Sequence, residues 1–281
     1  MPHPFFRTAA GHRLALTVDG PADAPPLILL HGGGQTRHAW QKSVAALATA
    51  GWHATAADLR GHGDSDWPGA YRVQDFADDV RELAQACGRP PVLVGASLGG
   101  LSSLLANAGD AGEVSRALVL VDIAPRLNAA GVDRILGFMA AHADGFASLD
   151  EAARAVAAYQ PQRTQKSDPS GLRKNLRQRE DGRWYWHWDP AMLAAFQRGR
   201  AENDVHHDER FYAAAERLTQ PVLLVRGAES DVIDEAITRE FRERIPQAEV
   251  ADVGGAGHMV AGDRNDIFLD AVLTFLARLP A

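Results

Sequence analysis

Residues Pro91 to Leu101, reading PVLVGASLGGL, constrain this chain more than any other stretch. Val92, Leu93 and Val94 form a short apolar run of the kind that makes a strand buried on both faces of a parallel sheet. The run breaks at once into Gly95-Ala96-Ser97-Leu98-Gly99-Gly100, and the helix-forming residues Leu101, Leu104, Leu105 and Ala106 follow. A strand that turns directly into a helix brings the backbone on either side of the apex into near contact, so Gly95 and Gly99 cannot carry side chains. The same turn holds Ser97 in a strained conformation with its hydroxyl exposed above the sheet. The Leu98 NH then lies at a helix N-terminus, where it can stabilise negative charge. This is the G-x-S-x-G pattern of a nucleophile elbow. Two glycines around a serine also occur in ordinary turns, so the rest of the chain has to decide.

Strands and helices alternate on both sides of this stretch. His12 to Asp19 (HRLALTVD) alternates apolar and polar residues, as an antiparallel edge strand does. Leu27 to Leu30 (LILL), the stretch around His53 to Ala57, Ala117 to Val121 (ALVLV), Val222 to Val225 (VLLV) and Glu249 to Val253 read as further strands. Helices are expected over Trp40–Ala50, Val73–Cys87, Glu235–Arg244 and Asp266–Arg278. In the second of these, Val73, Phe76, Ala77, Val80, Leu83, Ala84 and Cys87 share one stripe. Alternation of this kind means a parallel sheet wound by βαβ units. The pattern stops after Pro125 and resumes near Leu218, with a helical, polar span between. The reading is therefore a core of residues 1–125 and 218–281 with a mostly helical cap, 126–217, inserted over the strand ends.

The 281 residues suffice for such an arrangement. A formal net charge of −7 argues against a nucleic-acid or anionic-membrane partner. The single Cys87 excludes an intrachain disulfide and a cysteine-rich metal site, and reads as a small core residue. Neither a secretory apolar stretch nor a run of about 18 apolar residues is present, so a cytoplasmic protein with no membrane partner is expected.

In an open α/β sheet, functional groups gather beyond the carboxyl ends of the strands. Those ends carry His31-Gly32-Gly33-Gly34, the loop Asp58-Leu59-Arg60-Gly61-His62-Gly63-Asp64-Ser65, Ser97, Asp122, Asp231 within RGAESD, and His258 within GAGHMV. A serine hydroxyl is a poor nucleophile without a base, and His258 is the candidate. A buried carboxylate must hold the imidazole in the right tautomer. A tetrahedral oxyanion needs two fixed donors, for which the NH groups of Gly33 and Leu98 are candidates.

Together HGGG, DLRGHGDSD, GASLGG, RGAESD and GAGHMV resemble the α/β-hydrolase superfamily, nearest its capped serine carboxylesterases and the related C–C-bond hydrolases and lactonases. The similarity covers most of residues 12–124 and 218–280. It implies an α/β fold of the α/β-hydrolase type: a mostly parallel eight-stranded sheet with a helical cap inserted after the sixth strand. It also implies a Ser97–Asp231–His258 triad and a Gly33/Leu98 oxyanion hole. Asp122, at the end of the strand after the elbow, competes for the role of acid, with a structural carboxylate as its plainer reading. Asp231 is preferred because RGAESD lies in the usual acid loop. The expected reaction is cleavage of a small-molecule carboxylic ester through an acyl-serine, with no cofactor and no metal. A C–C hydrolase, lactonase or perhydrolase on the same triad is the alternative, and a non-catalytic receptor with the hydrolase fold is a different class.

Gly34, Phe138, Ile123, Met259 and Val260 are candidate pocket residues. So are Trp184, Trp186 and Trp188, which alternate along an extended segment after the Asp181-Gly182 turn; their plainer reading is glue between cap and core. His31 and His62 are read as bonding or packing within their loops. His206-His207-Asp208 lacks a third spaced ligand and is not read as a metal site. The basic run Arg163 to Arg183 is read as a solvated cap face.

Overall fold

The computed structural model describes residues 3–109, 112–159, 168–202 and 209–280, without the side chains of 199–202 and 263. The strands in chain order are β1 (Phe5–Arg7), β2 (Arg13–Asp19), β3 (Pro26–Leu30), β4 (His53–Ala57), β5 (Val92–Ala96), β6 (Ala117–Val121), β7 (Leu176–Gln178), β8 (Trp184–Trp186), β9 (Val222–Gly227) and β10 (Ala248–Val253). The helices are α1 (Gln41–Thr49), α2 (Val73–Gln85), α3 (Leu98–Asn107), α4 (Ala129–Ala140), α5 (Leu149–Tyr159), α6 (Pro190–Glu202), α7 (Glu209–Glu216), α8 (Glu235–Arg244), α9 (Val260–Asp263) and α10 (Asn265–Leu276).

One eight-stranded sheet runs in the order β1-β2-β4-β3-β5-β6-β9-β10. β2 is antiparallel to β1 and to β4, and every pairing from β4 across to β10 is parallel. β1 is too short to show an alternating pattern, which is why the sequence carries no sign of it. The central strands are buried along their whole length or nearly so, and successive residues feed opposite faces. Ile28, Leu30, Leu93, Leu118, Leu120 and Leu224 join one apolar cluster with Phe76 and Val80 of α2, Leu104 of α3 and Phe241 of α8. Leu27, Leu29, Val92, Val94, Val119 and Val225 join the other, with Val44 and Leu47 of α1 and Phe268, Val272 and Phe275 of α10. Burying one such side chain contributes about 1.5–3 kcal/mol. That explains why the strands read as unbroken apolar runs.

The parallel register aligns the carboxyl ends. Leu30 pairs with Ala57 and Gly95, Ala96 with Val121, Val121 with Val225, and Gly227 with Val253. Every loop named above therefore opens on one rim.

Between β6 and β9 lie α4, α5, the β7–β8 hairpin, α6 and α7. The hairpin strands form a two-stranded sheet of their own, and Trp184 of β8 also bridges to Phe146. The last helix of the 126–217 span, α7, packs on α3 and α8 of the core and buries Phe211 and Tyr212 there. No helix among the described residues is long and apolar enough to cross a membrane.

Candidate active site

Two non-glycine residues among those described have positive φ: Ser97 at 46° and Asp122 at 50°. Such strain costs about 1–3 kcal/mol per residue and persists only where the surroundings enforce it. At Ser97 the enforcement is steric. A Cβ on Gly95 would come within 2.5 Å of the Gly99 carbonyl oxygen, and one on Gly99 within 2.5 Å of the Leu30 carbonyl oxygen. The Ser97 NH donates to the Val121 carbonyl at 3.3 Å, tying the apex to the strand that ends in Asp122.

Asp122 is fully buried. Its NH donates to the Val225 carbonyl at 2.8 Å, which pins the backbone across β6 and β9. Its Oδ1 accepts the Gly227 NH at 3.0 Å. Its Oδ2 accepts the Ser230 hydroxyl at 2.5 Å and His258 Nδ1 at 2.8 Å. A carboxylate accepts only, so this bond calls for the proton on His258 Nδ1, the tautomer whose Nε2 carries the lone pair.

The His258 ring bonds Asp122, the alternative acid of the sequence reading, and not the preferred Asp231. Asp231 turns away from the imidazole and pairs with Arg134 of α4 at 2.5 Å, with its side chain 31% exposed. The neighbouring residue, Ser230, is the one directed at the rim. The Ser97 hydroxyl makes no hydrogen bond to His258 among the described residues; such bonds are often long in unliganded sites and tighten around substrate.

The HGGG loop sorts its own donors. The Gly32 NH donates to Gln35 Oε1 at 3.0 Å, and the Gly34 NH to His62 Nε2 at 3.2 Å. The Gly33 NH has no protein acceptor among the described residues, and no atom lies within 4 Å of where its Cβ would stand. The Leu98 NH, at the first turn of α3, is likewise without a protein acceptor. The NH groups of Gly33 and Leu98, the expected oxyanion donors, are thus both without a protein acceptor among the described residues.

His31 and His62 are structural, and their hydrogen bonds fix them as neutral rings. Nδ1 of His31 donates to the Gly32 carbonyl and its Nε2 accepts the Leu59 NH. Nδ1 of His62 donates to the Arg60 carbonyl. Burial pushes His31 down to about 4 and His62 to about 3, the nearby His31 ring adding to the second shift. His187 is lowered to about 4, again chiefly by burial. As pH falls below about 6.5, the unfolded chain protonates these rings before the folded chain does. Stability is therefore whole at neutral pH and declines toward pH 4, by about 1.4 kcal/mol per pH unit for each fully buried ring. Urea midpoints measured from pH 7.5 down to pH 5 should fall accordingly. The slope should be shallower in His62→Gln, which keeps an acceptor for the Gly34 NH; an equal slope in both proteins would remove His62 from the account.

Beneath the loop lies a buried ion pair that the sequence reading missed. Arg37, 1% exposed, sets its guanidinium on fully buried Asp58 and, at 2.9 Å, on Asp64. Asp58 also accepts the NH groups of Arg37 and Asp64, at 2.5 and 3.0 Å. Asp58 stands directly at the end of β4, and that position was the available signal.

The inserted segment closes on this rim. The Gly63 NH donates to the His187 carbonyl at 2.7 Å and the Asp189 NH to the Gly61 carbonyl at 2.8 Å, while Arg177 reaches Asp64 at 3.0 Å. Met139 of α4, also missed, lies 3.4 Å from where a Gly34 Cβ would stand. Phe138 stacks on Tyr159 at 4.2 Å and meets Trp186 edge-on at 5.7 Å. Trp184 pairs by backbone with Phe146 and lies under Arg173 at 4.6 Å. The sulfur of Met259, next to His258, accepts from Gln35 at 3.3 Å.

Three expected pocket residues are buried among apolar neighbours. Ile123 fills the space that a Gly100 side chain would need, Val260 packs beneath the sheet, and Trp188 is buried where the segment meets His62. Among the described cations of the basic run, Arg173, Lys174, Arg177 and Arg179 are exposed, as a solvated face would have them, while half-buried Arg183 donates to the carbonyls of Asp144 and Gly145. His206, His207 and Asp208 lie outside the described residues. Among those described, no group of three His, Cys, Asp or Glu side chains is placed to hold a metal ion.

A family model of the alpha/beta hydrolase fold matches residues 25–264. An esterase of Mycobacterium tuberculosis is 30% identical, with 95% of this chain and 87% of that protein aligned. The 2-(acetamidomethylene)succinate hydrolase of Mesorhizobium japonicum is 28% identical over 94% of this chain and 92% of its own. A crystal structure of an E-2-(acetamidomethylene)succinate hydrolase superposes with a TM-score of 0.85 at 25% identity, covering 98% of this chain and 99% of that one. With the matched span running from the third strand past His258, the chain belongs to the α/β-hydrolase fold family.

Proposed function

We propose that this protein is a serine hydrolase that cleaves small-molecule carboxylic esters through an acyl-serine intermediate. The observation that carries the reading is the 2.8 Å bond between His258 Nδ1 and buried Asp122, on the strand end beside Ser97. Ser97 Oγ attacks the ester carbonyl while His258 Nε2 takes its proton. The carbonyl oxygen becomes an oxyanion held by the Gly33 and Leu98 NH groups, each such donor being worth about 10²–10³ in turnover. The intermediate collapses, and His258 returns the proton to the leaving alcohol. A water then repeats the sequence on the acyl-serine, releasing the acid and restoring Ser97. The segment between β6 and β9 serves as the cap, with Met139, Phe138 and Trp186 toward the acyl side. The kinship with a named esterase supports the ester as the bond attacked.

A fluorophosphonate probe should label the protein once, at Ser97 by peptide mass. Short p-nitrophenyl esters should release a stoichiometric burst of p-nitrophenol followed by steady turnover. A lactone in the same panel distinguishes the neighbouring activity. Labelling without turnover of any ester or lactone would favour a receptor, and no labelling at all would sink the serine mechanism.

A further inference from the structure

The geometry points to Ser230 as a positioning residue for the acid, a role that rests on the serine-hydrolase reading. Its hydroxyl oxygen accepts two backbone donors, the NH groups of Val232 at 3.1 Å and Ile233 at 3.2 Å. With both lone pairs occupied, the hydroxyl proton has one direction left, and it lies on Asp122 Oδ2 at 2.5 Å. That oxygen is the one that accepts His258 Nδ1. Ser230 and His258 therefore meet at one atom, and Ser230 fixes where its lone pairs face.

The loop that holds Ser230 is itself braced. The Ala228 NH donates to the Val253 carbonyl at 3.0 Å, the Glu229 NH to Ala256 at 2.9 Å and the Ser230 NH to Gly227 at 3.0 Å. The first two bonds tie the loop after β9 to the segment that leads to His258, and the third closes the loop on itself. Without the Ser230 hydroxyl, the Gly227 NH on Oδ1 would be the remaining backbone anchor of the Asp122 carboxylate. The carboxylate would then turn about its Cβ–Cγ bond, and the imidazole would lose its fixed aim at Ser97.

The test compares the full chain with Ser230→Ala and Ser230→Thr. With p-nitrophenyl acetate, Ser230→Ala should lose about ten- to a hundredfold in kcat, the scale of a hydrogen bond to a charged group, with KM within about twofold. The low-field proton resonance of His258 Nδ1–H should broaden or vanish in Ser230→Ala, and Ser230→Thr should restore both signals. A drop in melting temperature with kcat and the proton resonance unchanged would reduce Ser230 to a loop cap and overturn the inference. Because the resonance needs no turnover, the two readings separate. A wild-type protein inert toward esters would fail the proposed function, while the proton signal would still decide Ser230.

Discussion

Asp122→Asn lowers kcat for a p-nitrophenyl ester by about 10³–10⁴-fold, whereas Asp231→Asn leaves it within about threefold. The first effect follows from what the new amide presents to the imidazole. An amide offers one oxygen where the carboxylate offers two, and the Gly227 NH on Oδ1 competes for it with the Ser230 hydroxyl and His258 Nδ1 on Oδ2. In either orientation the negative charge that would stabilise the protonated ring is lost, and where the NH2 group faces the ring two donors confront each other at His258 Nδ1. There the ring answers by moving its proton to Nε2, the nitrogen that must be free to deprotonate Ser97. The shape is preserved while the charge, and in that orientation the tautomer, is wrong, so KM and the fold should survive while the chemistry fails. Asp231→Asn removes only a partly exposed ion pair with Arg134, worth about 0–1 kcal/mol. Steady-state kinetics on both variants, with probe labelling rates beside them, decide the matter. A large loss in Asp231→Asn with Asp122→Asn near wild type would return the acid to the loop after β9.

That contest shows where the sequence stops being legible. The elbow could be read because sterics leave only glycine at positions 95 and 99, and the buried strands because burial on both faces forces unbroken apolar runs. The loop Gly227-Ala228-Glu229-Ser230-Asp231 offers three consecutive polar residues, and nothing in their identity says which turns inward. The direction is set by backbone bonds to Val253 and Ala256, partners that are distant in sequence. The burial of Ile123 and Val260 was hidden for a related reason. An apolar side chain just past a strand end can face the cavity or the core, and Gly100 opens a niche that Ile123 fills. Asp122 was visible as a candidate, but its positive φ was not, and that backbone turn accompanies the reach of its carboxylate to His258.

Arg37→Met destabilises the protein by about 3–5 kcal/mol, the scale observed when one partner of a buried ion pair is removed. The loss comes less from the missing attraction than from Asp58, which stays fully buried with its negative charge unmatched. Arg37 also binds Asp64 and donates from Nε to Thr17 at 3.2 Å, so its removal loosens three segments together. One of them is the loop whose glycines supply the Gly33 donor, and the other two are β2 and the loop after β4. Activity per folded molecule should fall as well, since Gly33 stands only four residues before Arg37. The double variant Arg37→Met with Asp58→Asn separates charge from packing. It should recover part of the stability, because the uncompensated carboxylate is gone, without recovering the activity that depends on loop placement. Equilibrium urea unfolding at neutral pH reads the first effect, and kcat at a temperature where both variants remain folded reads the second. If the double variant is no more stable than Arg37→Met, the cost lies in lost packing and hydrogen bonds around the guanidinium, and the stranded charge is not its source.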